Sequence, residues 1–250
     1  MCTLEYAWQA VADAPVVVAA NRDEAADRPS TPPELYRSKP RAIAPRDDRA
    51  GGTWIGYNEA GLFVGITNRW VGREGDRSRG QLVADCLGCG SASAAVETVE
   101  RAVAADSYAG FNLVVADADR ATLLEWDGEL SVSDVAPGVH VVVNVGADGA
   151  SFEPPERPGV GRKQATNATA VREALAIEST NPPTAATWRG RAAAVLGDHE
   201  YGVCVHSDGF GTRSASLIEI GREDTDSVGD YWFADGPPCR SRFERVESSL

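Results

Sequence analysis

Met1-Cys2-Thr3-Leu4-Glu5-Tyr6-Ala7-Trp8 opens the chain, and Val16-Val17-Val18-Ala19-Ala20-Asn21-Arg22-Asp23-Glu24 follows a turn at Asp13-Ala14-Pro15. The apolar, β-prone runs 3–10 and 16–20 around that turn predict a hairpin. A second residue as small as Cys permits removal of Met1, which leaves a thiol and a free α-amino group on one residue. An α-amine with a pKa of roughly 7.7–8.0 is a usable base near neutral pH, and a thiolate is a strong nucleophile. Nucleophile and base can therefore share Cys2 without a separate histidine. A cysteine that merely falls second is the better account of Cys2 alone, so the remainder of the chain has to decide.

The 250 residues are 43% apolar, enough for a sizeable core. No stretch approaches eighteen apolar residues, and the N-terminus lacks a basic region followed by an apolar one. No membrane span and a cytoplasmic location are expected. The net charge of −13 with only Lys39 and Lys163 as lysines suggests a salt-rich cytoplasm, a halophilic source, and argues against nucleic acid as a partner. Five cysteines at 2, 86, 89, 204 and 239 fit reduced thiols rather than a disulfide framework. Cys86-Leu87-Gly88-Cys89 has redox or zinc spacing, but no second such pair accompanies it, and a structural role is expected. His140, His199 and His206 show no metal spacing, so neither a metal nor a cofactor is expected. His206-Ser207-Asp208 lists the members of a triad, but neighbours in sequence cannot supply triad geometry.

Further along, 28–48 is rich in Pro, Arg and Asp and is expected to be an irregular crossing loop. Gly51-Gly52-Thr53-Trp54-Ile55-Gly56 begins a strand, with Trp54 expected in the core, and the turn at 58–61 leads into a second strand over 62–68. A charged, mobile loop is expected over 69–79, then helices over 80–87 and 91–105, the second capped by Ser91. Strands are expected over 111–116, 122–126, 130–133 and 139–145, with a tight turn at Asp127-Gly128. Helices over 165–177 and 185–196 precede strands near 202–206, 212–220, 231–234 and 241–246. Strands, two helices, strands, two helices, strands is the order of an α+β sandwich rather than of alternating βαβ units. One domain over 1–250 is expected.

Met1-Cys2, Ala20-Asn21-Arg22-Asp23-Glu24 with Arg28-Pro29, Gly51-Gly52-Thr53-Trp54-Ile55-Gly56, Ile66-Thr67-Asn68, Asn144 at a strand end and Gly211-Thr212-Arg213-Ser214 together resemble the NRDE-motif family. This family is also called the transport and Golgi organisation protein 2 family. The resemblance spans nearly the whole chain. It implies similarity to N-terminal nucleophile hydrolases, hence a four-layer αββα sandwich. A more distant resemblance to cysteine-type choloylglycine and penicillin V acylases implies individual roles. Cys2 is matched to the nucleophile, Asp23 to the acid beside the α-amine, Asn68 and Asn144 to two asparagines, and Arg213 to a late arginine. Asn21, Arg22 (offset from the arginine those acylases carry) and Glu24 are expected in binding.

These expectations describe coherent chemistry. A thiolate attacks an amide carbonyl, and the tetrahedral oxyanion needs donors already in place, such as an Asn amide and a backbone N–H. Asp23 is expected to hold or orient the amine, and Arg213 to lower the thiol pKa by its charge. A small-molecule acyl amide is the expected substrate. The alternative is a non-catalytic binding or trafficking protein on the same fold, handling haem or a lipid-related ligand, because family members are linked to haem handling and lipid metabolism.

Overall fold

The computed structural model describes residues 2–178, 180–221, 227–247 and 250. Strands β1 (Thr3–Trp8) and β2 (Val16–Ala25) form the expected hairpin, with Thr3 opposite Asn21. Next come β3 (Ser30–Ser38) and β4 (Arg41–Asp47), then β5 (Ile55–Asn58) and β6 (Phe63–Asn68). Helices α1 (Arg79–Cys86) and α2 (Ala92–Ala105) follow, capped by the Ser78 and Ser91 side chains. Then β7 (Phe111–Ala116), β8 (Ala121–Trp126), β9 (Leu130–Asp134), β10 (Gly138–Val143), β11 (Gly146–Ala147) and β12 (Ala150–Ser151) run antiparallel in succession, except that β9 and β10 belong to different sheets. Helices α3 (Pro158–Leu175) and α4 (Ala185–Gly197) precede β13 (His206–Ser207), β14 (Phe210–Ile220), β15 (Gly229–Ala234) and β16 (Glu244–Arg245).

One sheet has the order β12-β11-β10-β1-β2-β14-β15-β16, with β13 paired to β14; the other runs β3-β4-β5-β6-β7-β8-β9. Three buried clusters show how the layers stack. Leu4, Tyr6 and Val18 meet Ile55, Phe63 and Val114 between the sheets. Val17, Val141 and Leu217 turn the other way, against Val171 and Trp188 of α3 and α4. Val64, Leu113 and Leu124 pack on Leu82, Val96 and Val99 of α1 and α2. Alternation along each strand thus serves two apolar faces, and the result is the expected αββα sandwich.

The expected crossing loop over 28–48 is instead the β3–β4 hairpin. Pro32 and Pro33 are tolerated because β3 is an edge strand, and the register slips between Thr31 and Glu34. Helix α3 begins seven residues earlier than expected, at Pro158, a residue suited to a first helical turn because its missing N–H is not needed there. The strand expected near 202–206 is mostly a turn. A short 3-10 helix spans His199–Tyr201, and Gly202 closes it with φ of 63°. The strand expected over 241–246 shortens to β16.

The Gly51-Gly52 pair has a packing reason. Gly52 has φ of 96°, and a Cβ there would lie 2.3 Å from the Gly80 carbonyl carbon. Only glycine lets the segment before β5 lie against the start of α1. At the other end of α1, the Cys86 thiol faces the Ala95 carbonyl and the Cys89 thiol the Thr98 hydroxyl, both on α2.

Candidate active site

The antiparallel arrangement brings five strand ends to one edge of the sandwich. These are the start of β1, the end of β2, the end of β6, the residue after β10 and the start of β14. Cys2 sits there, half-buried, on the floor of a cleft of about 360 Å³ that adjoins a second of about 330 Å³. Cys2, Asp23, Glu24, Asn68 and Arg79 line both.

Asn144 is buried and holds Cys2 directly. Its Oδ1 accepts from the Cys2 backbone nitrogen at 3.0 Å and from Gln164 Nε2 at 3.0 Å, while its Nδ2 donates to the Asn68 carbonyl at 2.8 Å. Three consistent partners fix the amide's orientation. One of the two N–H groups of the amide is thereby occupied, and its oxygen positions the nitrogen of Cys2. Asn68 meets this network through its carbonyl, and its own side chain stands exposed at the cleft.

Asp23 is 5% exposed, and its Oδ1 accepts from Thr212 Oγ1 at 2.5 Å. Burial pushes its carboxyl up to about 6, against the pull of the positive chain N-terminus and the Thr212 hydroxyl. The Cys2 thiol lies 3.7 Å from the Asp23 carbonyl oxygen. Burial raises the pKa of that thiol, as does the Asp23 charge, while the N-terminus, the Asp23 carbonyl contact and Arg22 pull it down. Desolvation dominates, so the resting sulfur is a thiol that needs a base.

Arg22 is buried, and its Cζ lies 4.2 Å from the centroid of Trp54. Burial lowers its pKa although Glu24, Cys2 and Asp47 act to raise it. Its Nη1 is buried without a hydrogen-bond partner. Trp54, expected in the core, is half-buried and lines the cleft under this guanidinium. Glu24 accepts from the Ala25 N–H and lies 3.8 Å from Arg28, which pairs with Asp47 at 2.7 Å. Asn21 belongs to the cleft only by its place on β2. Its Nδ2 donates to the Leu196 and Val203 carbonyls, tying the strand to α4 and to the segment after it.

Arg213 is not brought to the site. It stands exposed at the bulge where β14 slips register between Thr212 and Ser214, and it lines neither cleft. Alternation sends Thr212 inward to Asp23 and Arg213 outward. The cations near Cys2 are Arg22 and Arg79; Arg79 reaches in from the start of α1 and donates to the Gly110 carbonyl at 2.8 Å. Thr212 and Trp54 had no signal in the sequence beyond their place in matching motifs, and Arg79 and Gln164 had none. Spacing likewise points to no metal, yet among the described residues His199, Cys204, His206 and Cys239 converge, with ligand atoms all within 4.8 Å of one another. His206 faces thiols there and forms no triad with Ser207 and Asp208.

The αββα sandwich, with Cys2 at the head of a central strand, is the N-terminal nucleophile hydrolase-like class of fold. Two solved structures are similar in that fold. One is a penicillin V acylase from Agrobacterium tumefaciens, with a TM-score of 0.55 and 16% identity over 94% of this chain and 83% of that one. Another is a Caenorhabditis elegans N-acylethanolamine-hydrolyzing acid amidase ortholog, with a TM-score of 0.60 and 13% identity over 91% and 96%. The family model described as Transport and Golgi organisation 2 matches residues 1–228, and the chain belongs to that family. A Bos taurus Transport and Golgi organization protein 2 homolog is 28% identical over 235 residues, 82% of each chain.

Proposed function

We propose that the protein is a cysteine N-terminal nucleophile hydrolase cleaving a linear amide bond of a small acyl compound. The observation that carries this reading is the hold of Asn144 on the nitrogen of Cys2, at 3.0 Å, with Asp23 and an open cleft beside it. Once Met1 is removed, that nitrogen is the α-amine. Asn144 accepts one of its hydrogens and leaves the lone pair for the thiol proton. The thiolate then attacks the amide carbonyl carbon and the oxygen becomes an oxyanion. The Asn68 side chain and the Arg22 guanidinium are the donors available to that charge. Collapse of the intermediate expels the amine, which takes the proton from the α-ammonium, and leaves an S-acyl thioester on Cys2. Water, deprotonated by the same α-amine, hydrolyses the thioester to a carboxylic acid and frees the thiol. Asp23 keeps the amine oriented and balances its charge when protonated.

Intact mass and a panel of N-acyl amides test this reading. The mature chain is expected to lack Met1, Cys2→Ala to abolish turnover, and Cys2→Ser to retain under about 1% of it, since a hydroxyl is a far weaker nucleophile. A retained or acetylated Met1 in an active preparation removes the amine as base. Full activity in Cys2→Ala rules out Cys2 as the nucleophile, and a wild-type chain lacking Met1 that turns over no amide leaves a ligand-binding role on the same fold in its place.

A further inference from the structure

Four metal-ligand side chains meet away from the cleft. None of His199, Cys204, His206 and Cys239 lines either cavity around Cys2. Cys204 and His206 are two residues apart as the chain enters β13, and an extended backbone sets such a pair on one face. His199 comes from the 3-10 turn after α4. Cys239 comes from a turn in which the Arg240 and Ser241 N–H groups both donate to the Pro237 carbonyl.

The spacing of the ligand atoms suits a single small ion, all four lying within 4.8 Å of one another. His206 Nε2 lies 3.5 Å from Cys204 Sγ and 3.2 Å from Cys239 Sγ. Zinc with Zn–S of about 2.3 Å and Zn–N of about 2.0–2.1 Å separates sulfur from nitrogen by about 3.6 Å. The His199 and His206 rings meet edge-on with centroids 5.2 Å apart, which suits two imidazoles sharing one ion. The scaffold is held independently of any ion. Gly197 lies so close to the next segment that a Cβ on it would be 3.3 Å from the Pro238 carbonyl and 3.4 Å from the Cys239 nitrogen. Asn167 of α3 donates to the Gly202 carbonyl, and Asp198 caps the 3-10 turn.

We propose that His199, Cys204, His206 and Cys239 bind one structural Zn²⁺ ion. Two thiolates and two neutral imidazoles cancel the charge of the ion, and its binding releases two thiol protons. Four protein ligands fill the coordination sphere, so the ion is a clasp and not a Lewis acid for substrate. It joins the segment after α4 to the turn before β16. The first of these holds the cleft from behind: the Val203 carbonyl accepts from Asn21, and the Val205 N–H donates to Thr212 Oγ1, which in turn donates to Asp23. The ion thus braces the backbone that positions Asp23, whether or not Cys2 turns over an amide.

Metal analysis of the full chain purified under reducing conditions tests the site. About one zinc per chain is expected to survive gel filtration. Zn²⁺ affinity is expected to fall about tenfold or more in Cys239→Ser and in His206→Asn. Replacement by Co²⁺ should give a thiolate-to-cobalt charge-transfer band with the intense d–d bands of a tetrahedral centre, weakened in Cys239→Ser. Circular dichroism shows whether a variant folds, and His199→Asn, an exposed ligand, supplies a second reading if Cys239→Ser does not. A reduced wild-type chain that takes up no Zn²⁺ overturns the proposal. So does zinc retained equally by wild type and both histidine variants, or a cobalt spectrum without thiolate bands.

Discussion

At the scale of single residues, the site depends on whether a buried carboxylate and a buried thiol can change charge. The Asp23 carboxyl is pushed up to about 6 by burial, above the ordinary 3.8. The native state therefore binds a proton more tightly than the unfolded chain, and stability from this group falls as pH rises from about 4 to 6. The difference is worth about 3 kcal/mol at most. Asp23→Asn is accordingly expected to flatten the decline in melting temperature over that range and to slow turnover by about 10²-fold or more through loss of the amine's partner. An unchanged pH slope in the variant contradicts the burial argument, and unchanged turnover contradicts the role of Asp23. Resemblance to cysteine-type acylases put Cys2, Asp23, Asn68 and Asn144 in the site. It could not show that Asn144 spends one N–H on the Asn68 carbonyl, because that depends on where β6 and β10 end relative to each other.

Among the elements, β1 carries an unusual load. Glu5 is fully buried in the middle of this strand, between Ala19 and Val141, and neither of its carboxylate oxygens has a partner. Burial raises its pKa well above the ordinary carboxylate range, so it too loses stability as pH rises past its unfolded value. Glu5→Met, of similar length, is expected to raise the melting temperature at pH 7 by several degrees, at about 2–4 °C per kcal/mol for a chain of this size. A lower melting temperature in this variant would show that the carboxyl is structurally required. At the β5–α1 corner the opposite outcome is expected. Gly52→Ala puts a Cβ against Gly80 at a φ of 96°, and a loss of about 2 kcal/mol or more in denaturant unfolding is expected. A neutral result would mean that the start of α1 yields.

For the whole molecule, the −13 net charge sets a balance between self-repulsion and screening. Ion pairs such as Arg28–Asp47 and Arg69–Glu125 neutralise individual carboxylates but leave that excess as it is. With the Debye length falling from about 10 Å at 0.1 M to about 3 Å at 1 M salt, repulsion between spread carboxylates is screened. The melting temperature is therefore expected to rise as KCl goes from about 0.1 to about 2 M. A flat or falling curve contradicts the reading of the composition as an adaptation to salt.

The sequence by itself determined the layers. Apolar β-prone runs, an amphipathic helix capped by Ser91 and the order of the elements specify two sheets covered by helix layers, and local patterning needs no tertiary information. It also placed Cys2 just before the first strand of a hairpin and Asp23 just past the apolar run of the second. Tertiary structure alone decided which side chains share a space. Arg213 lay outside once a bulge in β14 set its face, Trp54 came under Arg22 at the cleft, and 28–48 became an edge hairpin despite its prolines. Above all, Cys204 and Cys239 stand 35 residues apart, outside the chain's Cys-x-x-Cys pair. Only the packing of α4 against the turn before β16 brings their sulfur atoms within 4.8 Å.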